Sequence, residues 1–139
     1  MEMRRAVAWV LALMLLVGSA LAEESADALV ASYLAQMQCP GACSYVGAII
    51  ELYPATRDAL LTLEDRALPE LARILEAEKP GRYRSMAEIF LMEILGRGEG
   101  VEGKSEAVLA NEAMAKAAVE VLTGKPYKPL ATNPNWAKK

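Results

Sequence analysis

Apolar positions recur at three- and four-residue steps along most of the chain and are interrupted at proline and glycine. That is the rhythm and punctuation of helices. Beyond the first 22 residues the densest stretch is Asp65–Gly96, DRALPELARILEAEKPGRYRSMAEIFLMEILG, which predicts a helical hairpin. On its first arm Leu68, Leu71, Ala72 and Leu75 form a stripe that Ile74 broadens, while Glu70, Arg73 and residues 76–79 are expected in water. Pro69 falls in the opening turn, where a missing N–H does least harm. Lys79-Pro80-Gly81 predicts the turn. The return arm, Tyr83–Leu95, carries Met86, Ala87, Ile89, Phe90, Leu91, Met92, Ile94 and Leu95. A helix apolar nearly all round is one packed between neighbours, so this arm is expected at the centre of the domain. Arg84, Ser85, Glu88 and Glu93 remain for its polar edge.

The flanking segments read as its packing partners. Residues 23–38 predict a first helix, capped by Ser25, with Ala26, Leu29, Val30, Tyr33, Leu34 and Met37 on one face. Cys39-Pro40-Gly41 stops it. A shorter helix spans 43–53 and ends at Pro54, and Arg57–Leu63 follows under a Thr56 cap, pointing Leu60, Leu61 and Leu63 inward. Gly96–Gly103 predicts an acidic glycine-rich loop. Ser105 then caps an alanine-rich helix to Leu122, whose packing face is expected to be Ala110, Met114, Ala117, Ala118 and Val121. Gly124 ends it. The tail, 125–139, holds Pro126, Pro129 and Pro134 and is expected to be irregular, pinned by Tyr127 and Trp136.

The first 22 residues change the compartment. Arg4 and Arg5, the apolar run Ala6–Val17 and Ala20-Leu21-Ala22 have the order of a secretory signal with an A-x-A cleavage site. The apolar run stops at Gly18-Ser19, short of the roughly 20 residues that a bilayer span needs. The expectation is therefore cleavage after Ala22, no membrane anchor, and a periplasmic or secreted domain over 23–124. The whole chain carries a net charge of −3. Losing Glu2, Arg4 and Arg5 leaves 13 basic and 17 acidic residues, a net −4. That mild acidity argues against nucleic acid, whose binders carry a basic footprint.

Candidate chemistry is sparse. Gly98-Glu99-Gly100-Val101-Glu102-Gly103-Lys104-Ser105 matches the phosphate-binding GxxxxGKS pattern, in which backbone N–H groups and the lysine hold phosphates. Its context does not fit. Glu99 and Glu102 put negative charge where more must bind, the upstream segment reads as helix, and 34 residues after Ser105 leave no room for a parallel sheet. The expectation is an interhelical loop and no cofactor. Cys39 and Cys43 are the two cysteines. In an oxidising compartment the first reading is a disulfide stapling the turn between helices. A redox-active pair is the alternative, but it would want the C-x-x-C spacing. The chain has no histidine, which removes Ser-His-Asp and Cys-His catalysis and the usual zinc sites. Glu88 and Glu93, five apart on a helix, converge poorly as a carboxylate pair and are expected to be solvated or paired with Arg84, Arg57 or Arg97.

The Leu61–Gly96 stretch resembles a HEAT-type helical repeat: Ala67-Leu68-Pro69-Glu70-Leu71 opens one helix, and Arg84-Ser85-Met86-Ala87-Glu88 runs to Ile94-Leu95-Gly96. Leu122-Thr123-Gly124-Lys125-Pro126-Tyr127 with Asn135-Trp136 is similar to the closing segment of such proteins. The resemblance covers one unit and a terminal cap, with no second copy at fixed spacing. It implies a scaffold that binds a protein or peptide on a helix face, with no catalytic residue to carry over. The expected fold is all-α, about five or six helices in a short stack of antiparallel hairpins or a small bundle. The expected function is non-enzymatic binding, with function on the edges around Arg84, Glu88 and the Gly96–Gly103 loop; a thiol–disulfide protein using Cys39 and Cys43 is the alternative.

Overall fold

A computed structural model describes residues 25–39 and 45–129. The leader, Cys43 and Trp136 lie outside the described residues. Within them the chain is all-helical: α1 (Ala26–Gln36), α2 (Val46–Glu51), α3 (Pro54–Thr62), a 3-10 turn (Glu64–Ala67), α4 (Leu68–Ala77), α5 (Arg82–Gly98) and α6 (Glu106–Thr123). None of these helices is long and apolar enough to cross a membrane.

Local chemistry sets the starts. Ser25 Oγ accepts the Ala28 N–H at 3.2 Å, and Ser105 Oγ accepts that of Val108 at 3.3 Å, so each serine satisfies a backbone donor that its helix cannot. Pro54 was expected to end a helix. Helix α2 does end before it, at Glu51, and Pro54 also begins the next helix, in the first turn of α3 and ahead of the expected Thr56 cap, where its fixed φ suits the helix and no N–H is needed. Tyr53, just before it, donates its hydroxyl to the Gln38 carbonyl at 2.8 Å and ties the end of α1 to the start of α3.

Helices α4 and α5 form the hairpin. Residues 78–81 join them, and the two pack on one another. Both arms sit at the centre of the bundle: α4 packs against α1, the 3-10 turn, α5 and, most extensively, α6, and the return helix α5, as expected, packs against α1, α2, the 3-10 turn, α4 and α6. Leu68, Leu71, Ala72, Ile74 and Leu75 are buried as the pattern predicts. Phe90, Leu91 and Leu95 of α5, Leu34 and Val30 of α1, Ile49 and Ile50 of α2 and Leu60 of α3 complete one continuous core.

Three expectations are overturned. Glu70, assigned to water, and Glu93, placed on a polar edge and expected solvated or paired with an arginine, are both buried, Glu93 with the expected partner Arg97. Each is sustained by an arginine one turn on: Arg73 Nε donates to Glu70 at 2.8 Å and Arg97 Nε to Glu93 at 2.7 Å. The carboxylate of Glu70 holds the Arg73 guanidinium well above the usual arginine range, by hydrogen bond first and charge second. Helix α5 runs past Leu95 to Gly98, so Gly96 and Gly98 are helical and the loop begins later than expected. The packing face of α6 is also different. Glu112, Ala115, Ala118 and Val119 are buried, whereas Ala110, Met114, Ala117 and Val121 are exposed. Tyr127 does fold back as expected: it packs on the core, its N–H reaches Glu120 Oε1 at 3.4 Å, and Lys116 lies over its ring.

Candidate functional site

The end of α3, the 3-10 turn, the last turn of α5, the following loop and the start of α6 enclose a cleft of about 720 Å³. Leu61, Leu68, Ile94, Val101 and Val108 give it apolar walls, and Asp58, Glu64, Asp65, Arg97, Lys104 and Glu112 supply charge. The helices position these residues because their buried neighbours are fixed. Leu60 and Leu63 anchor the end of α3, and Ala67 anchors the turn.

Most of this charge is already neutralised. Arg57 Nε meets Asp58 at 3.0 Å, and Arg97 is taken by buried Glu93. Lys104 Nζ lies 2.6 Å from Glu112 Oε1 and 2.9 Å from Oε2, a clasp that fastens the loop to α6. Gly98 lies beside it: a Cβ there would stand 3.4 Å from both Lys104 Nζ and Glu112 Oε2, an ordinary contact distance. Glu64 and Asp65 are left over. Asp65 accepts a hydrogen bond from the neutral Asn111 amide at 3.0 Å, and neither carboxylate has a cationic partner among the described residues. The uncompensated charge of the cleft is therefore two adjacent negative groups on one rim.

Glu64 is also the one non-glycine residue among those described with positive φ, 54°. The left-handed region costs an L-residue about 1–2 kcal/mol, and such strain clusters at functional sites. Here it lies on the rim that carries the spare charge.

The GxxxxGKS match runs along this cleft, since Gly98, Val101 and Lys104 line it. Its parts are otherwise engaged. Lys104 is bound to Glu112, Ser105 Oγ caps α6, and the segment before it is helix α5. Of the edges singled out for function, Arg97 and the loop reach the cleft, but Arg84 and Glu88 do not; Arg84 Nη1 instead donates to the Glu78 carbonyl at 3.5 Å. The cleft residues Asp58, Glu64, Asp65 and Glu112 were missed as a group. Asp58 and Glu112 come from α3 and α6 and the other two from the 3-10 turn, and charged positions read simply as outward-facing. Cys39 is half-buried and lines a smaller, mainly apolar cleft of about 240 Å³ with Leu34, Met37, Ile49, Tyr83 and Met86. Among the described residues no cluster of three or more acidic or sulfur ligands suits a metal. The chain matches no protein-family model, and no curated protein and no solved structure is found similar to it.

Proposed function

We propose that this is an exported, non-enzymatic helical binding module, and that its cleft takes a cationic side chain with an apolar stem, a lysine or arginine of a protein or peptide partner. The observation that carries the reading is the pairing of apolar walls with two uncompensated carboxylates, Glu64 and Asp65, on one rim. An alkyl stem would bury against Leu61, Val101 and Val108 while the charge met the carboxylates. The strained backbone at Glu64 supports the same rim. Export rests on the Met1–Ala22 pattern, and the HEAT-type identity rests on the pattern of Leu61–Gly96 together with the packing of α4 on α5. The Cys39–Cys43 bridge is proposed as a structural staple, in keeping with the packing of Cys39 against the core.

The test uses small probes of each charge. In two-dimensional NMR, n-butylammonium is expected to shift amides around Asp58–Leu68 and Arg97–Lys104, while butyrate leaves them in place. Glu64→Lys is expected to abolish the shifts. Equal effects from both ions, or none from either, would refute the reading.

A further inference from the structure

The last described residues run toward the cleft. Gly124, at φ 68°, turns the chain back at the end of α6. Tyr127 then lies along the helix, with its N–H on Glu120 Oε1 at 3.4 Å and Lys116 Nζ 5.3 Å from its ring centroid. The chain therefore returns antiparallel to α6, toward the end that borders the cleft. Lys116 precedes the end of α6 and stands eight residues from Val108 of the cleft wall, about 12 Å along the axis. Nine residues lead from Pro129 to Lys138, and when extended they reach up to about 30 Å. That tether is long enough to pass the Lys104–Glu112 clasp and enter the cleft.

The chemistry of the tail matches the site. Residues 128–139, KPLATNPNWAKK, hold three lysines and no acidic residue, whereas residues 23–127 hold 10 basic residues against 17 acidic ones. Lys138 and Lys139 are adjacent, as Glu64 and Asp65 are. Those two carboxylates are the cleft charges without a cationic partner among the described residues. Trp136, just before the lysines, supplies a large apolar ring, and Val101 of the cleft wall is 56% exposed. A tethered segment also meets its site at an effective concentration on the order of millimolar, so modest contacts suffice to seat it.

We propose that residues 130–139 of the same molecule occupy the cleft, with Lys138 and Lys139 at Glu64 and Asp65 and the Trp136 ring on Val101. The proposal rests on the reading of the cleft as a lysine or arginine site. It names the resident ligand, which a partner's side chain must displace.

NMR of the protein with its tail intact tests it. Without added ligand, nuclear Overhauser contacts are expected between the Trp136 indole and the Val101 and Val108 methyls. Lys138→Glu/Lys139→Glu should abolish them and shift the amides of residues 61–68, with helical content unchanged by circular dichroism. The same variant should bind n-butylammonium roughly 3- to 10-fold more tightly, because the open cleft is then the populated state. Missing contacts, or wild-type affinity in the variant, overturn this inference, and n-butylammonium binding in both proteins leaves the cleft reading standing. Contacts that fade on dilution assign the tail of another copy and overturn it as well. If neither protein binds n-butylammonium, the cleft reading falls and this inference with it.

Discussion

Helices α4 and α6 pack on one another more extensively than any other two elements among the described residues, yet they are built differently. Helix α4 commits its large side chains to one stripe, Leu68, Leu71, Ile74 and Leu75, and turns Arg73 and Glu76 outward. Helix α6 presents alanine on both sides, and its inner arc of Glu112, Ala115, Ala118 and Val119 holds little apolar volume. Because stabilisation scales with buried apolar area, α4 contributes most of the driving force of their contact, and α6 contributes closeness of approach. The difference explains how α6 can keep a second apolar face while α4 has none to spare.

The largest expected contrast is between the two helices. Leu71→Ala, in the centre of α4, should cost about 2–5 kcal/mol in denaturant unfolding. Met114→Ala, on the outer arc of α6, should stay within about 0.5 kcal/mol at dilute protein. Comparable losses would mean that the outer arc is covered within the monomer.

A smaller effect concerns the ion pairs at the cleft end of the contact. Glu93 is 1% exposed, Arg97 is its ion-pair partner, and its Oε2 has no hydrogen-bond partner among the described residues. Arg97→Ala leaves a buried carboxylate unpaired and should cost about 1–3 kcal/mol. Adding Glu93→Leu should recover most of that, since apolar replacement of both partners can be neutral. If the double variant is no more stable than Arg97→Ala, burial of the charge is not the source of the loss.

The smallest contrast is read in alkali. Burial raises the Tyr83 hydroxyl first, and the nearby Glu70 and Glu78 charges add to it. Tyr127 is raised by burial and then by Glu99 and Glu112. A raised value means that the folded state holds the proton more tightly than the unfolded chain does. The associated stability is complete below about pH 10 and is lost as pH rises through the folded values. Tyr83→Phe and Tyr127→Phe should each flatten that decline. An unfolding profile in which neither variant alters the slope above pH 10 contradicts the assignment.

Much of the fold was legible because charge marked the outside. The stripe of α4 could be read since Arg73 and the Glu76–Lys79 run bracket it, and Ser25 and Ser105 announced two helix starts. The burial of Glu70 and Glu93 was missed because a carboxylate usually signals solvent; Arg97 was among the partners expected for Glu93, and Arg73, three residues after Glu70, was the available sign there. Pro54 was ambiguous, since proline both stops one helix and opens the next. Helix α6 was misread for a physical reason. With alanine on every face, periodicity separates the faces weakly, and Met114 and Val121 drew the expected core to the wrong arc. The cleft was illegible because the walls around the adjacent Glu64 and Asp65 come from separate elements, α3, α5 and α6.

The assignment of those two arcs is the centre of the account, and neighbouring alanines test it most directly. Ala118 is 1% exposed and Ala117 is exposed. Ala118→Glu buries an unpaired charge against the core and should cost about 3 kcal/mol or more, measured by urea unfolding at dilute protein. Ala117→Glu should leave the same midpoint within about 0.5 kcal/mol. The reverse order, with Ala117→Glu unfolding the protein and Ala118→Glu tolerated, would contradict it.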